Sequence, residues 1–231
     1  MIPTATGIRK LLGLLHLASP ALPIGGFSYS QGLEGAVECQ LVYDGETARE
    51  WIRNGLENIL AANELPVVAI LHRAWERHDY AEVNLHNAWF LASRESLELR
   101  LETEQMGWSL AQLAMSLEWH DDNRRTVLRD MKPIGLPAAF AFAAGALGID
   151  VESCVTAYCF SWIENQVAAA IKAMPLGQVA GQRILYAMHP IVPNVVLRAI
   201  NTGADQVSTF APQLAIISSR HATQYSRLFR S

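Results

Sequence analysis

The chain has 231 residues, 51% of them hydrophobic and only 17% charged, and its 18 Lys plus Arg stand against 22 Asp plus Glu for a formal net charge of −4. A typical soluble domain carries about 25% charged residues, so this surface is poor in charge, and the mildly acidic balance without a basic block excludes nucleic acid as the main partner. Three cysteines cannot pair completely, so a reducing cytoplasm is the expected compartment, and one core could bury roughly 70–75% of the unfolded surface without disulfides.

Residues 11–33 are uncharged and long enough for a membrane span, but Pro20, Pro23, Gly25 and Gly26 break the helix a span requires. The beginning also imitates a secretory signal. An amphipathic helix is the better reading, because Ile8, Leu11, Leu12, Leu15 and Ala18 fall at helical spacing and His16 interrupts the apolar run. A rigid Pro/Gly loop follows to Phe27. Ser28 with Gln31 fits a capping box ahead of Leu33 and Val37, and Thr47 with Glu50 fits a second ahead of Trp51, Ile52, Leu56, Ile59 and Leu60. Pro66 suits a first helical turn before Val68, Leu71 and Trp75, and Asp79 with Glu82 caps the next helix.

From Arg94 to about Trp119 the pattern predicts a long helix whose buried faces are marked by Leu97, Leu101 and Trp108, then Leu110, Leu113 and Leu117. Arg94 with Glu98 and Arg100 with Glu104 add i,i+4 pairs worth about 0.2–0.5 kcal/mol each. Residues 120–132 form a polar break, the expected internal boundary. Residues 133–149, uncharged and rich in alanine, predict a buried central helix ended by Gly148. Asp150 opens a further helix through Cys154, Cys159 and Trp162 that Pro175 stops, and two short helices lie before Pro190 and after Pro193. No alternating strand pattern occurs, so the expected fold is all-α. It is a single-domain multi-helix bundle over residues 1–205, followed by a flexible or partner-ordered interaction tail over 206–231.

Catalytic signals are missing. Cys154 and Cys159, about 140° apart around a helix, lack the bite of a zinc site and read as core. Glu82 and His86 offer two ligands without a third. Gly26-Phe27-Ser28-Tyr29-Ser30 approaches a nucleophile elbow without its strand, no P-loop occurs, and Gly177-Gln178-Val179-Ala180-Gly181 lacks a preceding strand. Interaction surface is the stronger theme. Ala168, Ala169 and Ala170 permit close helix approach, and Lys172 is the lone formal charge between Glu164 and Arg183. The tail has no acid after Asp205 but carries Arg220, Arg227 and Arg230, with Tyr225, Leu228 and Phe229 on one helical face.

Three blocks are recognisable: Ala-Ser-Pro-Ala-Leu-Pro-Ile-Gly-Gly-Phe-Ser-Tyr-Ser-Gln-Gly-Leu-Glu (18–34), Trp-Ile-Glu-Asn-Gln-Val-Ala-Ala-Ala-Ile-Lys-Ala-Met-Pro-Leu-Gly-Gln-Val-Ala-Gly-Gln-Arg (162–183) and Arg-His-Ala-Thr-Gln-Tyr-Ser-Arg-Leu-Phe-Arg-Ser (220–231). In this order they resemble the UreF family of urease accessory proteins, with similarity along nearly the whole chain; one departure is Ala222, where the family usually places glutamate. The resemblance implies an all-helical cytoplasmic protein, commonly a homodimer, without enzymatic activity, cofactor or membrane attachment. Such a protein binds UreD (UreH in some organisms) and recruits the GTPase UreG into a complex that delivers nickel to apo-urease. By position it implies partner-binding roles for Ser19, Phe27 and Tyr29, for Lys172, Gln178, Gln182 and Arg183, and for Arg220, His221, Tyr225, Arg227, Leu228, Phe229 and Arg230. Two rivals come from other classes. A small serine hydrolase would need Ser28 and His221 to meet as nucleophile and base, and a metallochaperone would need a cluster among seven histidines scattered from His16 to His221.

Overall fold

The computed structural model describes residues 5–209, 211–220 and 227–230, and among them twelve α-helices and no strand. The expected helix at the beginning exists as α1 (Ala5–Leu17), but its apolar stripe faces outward: Ile8, Leu11, Leu12 and Leu15 are each at least half exposed, whereas Gly13 and Leu17 are buried. The reason is Gly13, whose missing Cβ lets α1 press on Leu147, where a Cβ would stand 3.0 Å from that side chain. Close approach through glycine rotates the leucines away. The Pro/Gly loop runs through a short 3₁₀ turn (Gly26–Ser28) into α2 (Leu33–Glu38), which begins after Gly32 in the left-handed region at φ 84°. The Ser28/Gln31 box is therefore absent, since the Gln31 amide bonds to distant residues instead.

The second expected box is shifted rather than lost. Asp44 caps α3 (Gly45–Asn54) by accepting the Thr47 N–H at 2.8 Å, one turn ahead of the Thr47/Glu50 placement. A π-helical segment (Gly55–Leu60) continues it to α4 (Glu64–Glu76), and Asp79 caps α5 (Tyr80–Ala92) through the Glu82 N–H, as the spacing predicts. The long helix is α6 (Leu97–Ser116), capped by Ser96. Arg94 precedes it and pairs with Glu64 instead of Glu98, at 2.9 Å, while Arg100 and Glu104 pair at 2.8 Å as expected. Leu97, Leu101, Trp108 and Leu117 are exposed; the buried face is formed by Met106, Gly107, Leu110, Ala111 and Ala114. Small residues again win the interior. The polar break folds into α7 (Asp122–Asp130).

The alanine-rich stretch forms α8 (Leu136–Ala146), whose residues Leu136 to Ala144 are all buried, as expected of a central helix. It packs chiefly on α4 and α6. Trp75 of α4 donates its indole N–H to the Ala138 carbonyl at 3.1 Å and meets Phe142 edge to face at 5.1 Å. Helix α9 (Val151–Ala173) then crosses α4 and carries α10 (Gln178–Met188) and α11 (Val192–Asn201) on its flank. The last helix, α12 (Pro212–Arg220), rests on α2 and α6. One contiguous apolar core draws on residues from Leu17 to Phe229, on both sides of the polar break.

Candidate partner-binding surface

The loop between α1 and α2 closes a series of turns on itself, and α9 supplies further partners for its backbone. Asn165 donates its side-chain N–H to the Tyr29 carbonyl and Gln166 to the Ser30 carbonyl, each at 3.1 Å. Trp162 donates its indole N–H to Gln31 Oε1, and Gln31 in turn donates to the buried Glu102 of α6 at 2.6 Å. Gln31 sits at φ 50°, a conformation that non-glycine residues adopt at some cost and that these two long-range bonds hold in place. Trp162 lies across Gly55, where a Cβ would stand 2.9 Å from the indole, so the π-helical segment clears the room for it. Two helices, α9 and α6, thus fix one loop.

The tail ends on that fixed loop. The buried Glu34 of α2 accepts the Leu228 N–H at 2.6 Å through one carboxylate oxygen and the Phe229 N–H at 3.3 Å through the other. Lys172, near the C-terminus of α9, donates to the Leu228 carbonyl at 2.8 Å and places its ammonium 4.3 Å from the centre of the Phe229 ring. The Arg230 N–H donates to the Ser28 carbonyl at 2.7 Å. Charge-assisted bonds of this kind are about twice as strong as neutral ones. Residues 227–230, expected to be flexible or to await a partner, find these contacts within the chain. Phe229 is buried while Leu228 remains 50% exposed, so the seat takes one tail side chain and displays its neighbour.

Two cavities flank Trp162. The larger, about 720 Å³, lies between α3, the π-helical segment, α9 and α12; the smaller, about 90 Å³, lies beneath the loop that follows α1. Gln31, Glu64, Arg94 and Trp162 line both. Between them the Tyr158 hydroxyl donates to Glu64 at 2.8 Å beside the Arg94–Glu64 ion pair. Burial next to the Glu64 carboxylate pushes the Tyr158 phenol well above its ordinary range, so it remains a donor, and burial raises the Glu164 carboxyl at the edge of the smaller cavity.

The expected site residues fall into two groups. Phe27, Tyr29, Lys172, Arg227, Leu228, Phe229 and Arg230 gather around the loop and the tail seat, although Tyr29 is buried and contributes through its carbonyl. Ser19 bonds locally to the Ala21 N–H at 3.1 Å. Gln178, Gln182 and Arg183 belong instead to the outer face of α10, beside the exposed Val179 and Tyr186. Arg220 ends α12, while His221 and Tyr225 lie outside the described residues, as does any meeting of His221 with Ser28. Among the described residues no group of three His, Cys, Asp or Glu side chains could hold a metal ion. Glu34, Gln31, Asn165 and Gln166 escaped the sequence reading as functional residues, although all four lie in the recognised blocks. A glutamate with no basic residue at i±4 is the signal that could have singled out Glu34.

Comparison with known proteins identifies the family. The UreF family profile matches residues 42–189. The urease accessory protein UreF of Cupriavidus metallidurans is 57% identical over 230 residues, covering 98% of this chain and all of that protein. Accessory proteins are not the enzyme they serve, which removes the hydrolase reading. On the strength of both matches, this chain belongs to the UreF family of urease accessory proteins.

Proposed function

We propose that this chain binds a UreD/UreH partner and recruits the GTPase UreG in the cytoplasm, as a homodimer, within the complex that delivers nickel to apo-urease. The observation that carries this reading is convergence. The three blocks that resemble the family, far apart in sequence, meet where Glu34 and Lys172 hold the tail against the loop pinned by α9. A surface built from three separated segments, with Phe27 43% exposed and Leu228 50% exposed beside arginine side chains, has the mixed apolar and charged character of a protein interface. In this reading the tail, residues 206–231, and the loop form the partner surface, and Gln178, Gln182 and Arg183 on α10 face the partner or the GTPase.

The test is co-purification from cells expressing the urease operon, with tagged full-length chain or a chain lacking residues 220–231. The full chain should retain UreD/UreH and UreG; the truncated chain should lose both while its helical core still melts cooperatively. Truncated protein that recovers both partners as well as the full chain would show that the surface lies elsewhere.

A further inference from the structure

Away from the tail seat, two histidines converge on one arginine. His78 follows the end of α4 at φ 57°, and His120 precedes the Asp121 cap of α7 at φ 64°; both occupy the left-handed region, where histidine is one of the better-tolerated non-glycine residues. Arg124, in the first turn of α7, donates one guanidinium N–H to His120 Nδ1 at 2.8 Å and another to His78 Nε2. A guanidinium only donates, so both receiving nitrogens must carry lone pairs. The other nitrogens are then the protonated ones. His120 Nε2–H donates to the Phe142 carbonyl of α8 at 3.0 Å, and His78 Nδ1–H donates to the Tyr80 hydroxyl at 3.0 Å. The hydrogen-bond pattern therefore assigns both imidazoles as neutral.

We propose that Arg124 is a proton-released clasp: neutral His78 and His120 hold it between the α4–α5 turn and the α6–α7 loop, and a proton on either accepting nitrogen frees α7. A proton there removes the acceptor and sets two cations at hydrogen-bond distance, with weak compensation nearby. Asp121 stands 3.7 Å from the guanidinium and is more than half exposed. The remaining charged groups are engaged elsewhere: Arg77 with Glu82, and Arg125 with Asp122 and the Glu118 and His120 carbonyls. Asp79 accepts the Glu82 N–H, and His16 of α1 meets the Trp119 ring. From α8 the approach is apolar, with Phe142 against His120 at 4.6 Å. Helix α7 has little else to hold it, because Leu128 is its one buried residue.

The direction of the effect follows from His120. Burial, opposed by its bond to Phe142 and reinforced by the Arg124 charge, holds its imidazole below the ordinary value of 6.5. The clasped form binds fewer protons than the released form, so the clasp is fully present above the ordinary value and is lost as pH falls through the depressed one. Amide exchange of the full chain, corrected for intrinsic rates, at about pH 7.5 and about pH 5.5 tests this: protection of residues 125–131 should fall roughly tenfold for each pH unit once His120 titrates. The double variant His78→Gln/His120→Gln should show the same protection at both pH values. Should that variant lack protection throughout, the imidazole NMR titration of His120 decides, because Arg124→Ala should raise its midpoint toward the ordinary value. Unchanged protection in the parent chain, a pH response that survives in the double variant, or a His120 midpoint indifferent to Arg124→Ala would each overturn the proposal.

Discussion

At the scale of single residues, the three thiols differ in environment. Burial pushes the Cys159 thiol up to about 12 and holds Cys154 higher still, whereas Cys39 is exposed. The thiolate is the reacting species, so a chromogenic disulfide reagent at neutral pH should modify Cys39 alone in the native chain and all three cysteines after denaturation. Rapid reaction of a second native thiol would contradict this packing. Lys172 yields a sharper test. Its bond to the Leu228 carbonyl and its contact with the Phe229 ring, both at the surface, contribute about 1–2 kcal/mol to seating the tail and little to the core. Lys172→Ala should accelerate amide exchange at Leu228 and Phe229 roughly tenfold, by 1.4 kcal/mol per decade, while the melting temperature of the chain barely moves. A drop of many degrees would instead make Lys172 part of the fold. Spacing predicted the buried cysteines, because a poor metal bite on a helix leaves packing as their role. Spacing also predicted a cap at Ser28 that does not form, because the Gln31 amide has stronger partners in Glu102 and Trp162, remote in sequence.

Among elements, the contact between α6 and α8 is set by Gly107. A Cβ there would lie 2.5 Å from the Ile134 carbonyl oxygen and 2.8 Å from the Leu136 nitrogen, both main-chain atoms that cannot rotate aside. The same segment is fixed by side chains, since Asn87 accepts the Gly135 N–H at 2.8 Å and Thr103 accepts the Leu136 N–H at 3.0 Å. Gly107→Ala should therefore cost about 3 kcal/mol or more, at the upper end of overpacking penalties, despite the better helix propensity of alanine. Urea denaturation should show a lowered midpoint at an unchanged slope. An alanine variant as stable as the parent chain would mean the two helices are not in this contact. Most helices were legible from caps, prolines and the 3.6 period, but not α7, which forms within the expected polar break, nor α12, which forms within the expected tail. The buried face was legible in α4 and α8, where Val68, Leu71 and Trp75 and the alanine-rich run lie inside, but only in part in α1 and α6. Leu11, Leu12 and Leu15 of α1 and Leu97 and Leu101 of α6 lie outward while Gly13, Gly107, Ala111 and Ala114 lie inward, because close helix approach rewards small side chains, a choice that depends on a neighbour the local pattern does not contain.

For the whole molecule, the all-α class followed from a sequence with no alternating pattern, and the recognised blocks pointed to the family. Their meeting in space was not legible, because the bonds that join them pair a carboxylate, an ammonium and two amides with main-chain groups at separations of more than fifty residues. The tail seat has a consequence for engineering. Glu34, Lys172 and the Ser28 carbonyl grip main-chain atoms of the tail, and among residues 227–230 the buried side chain is Phe229. The grip is thus blind to the side chain at Leu228 and Arg230, both exposed, provided that neither is proline, which would remove the N–H that Glu34 or the Ser28 carbonyl accepts. Those two positions can be randomised in a library with Phe229 kept constant, and variants selected for altered partner choice should retain a seated tail, which makes this short segment a place to build mutually orthogonal assembly pairs.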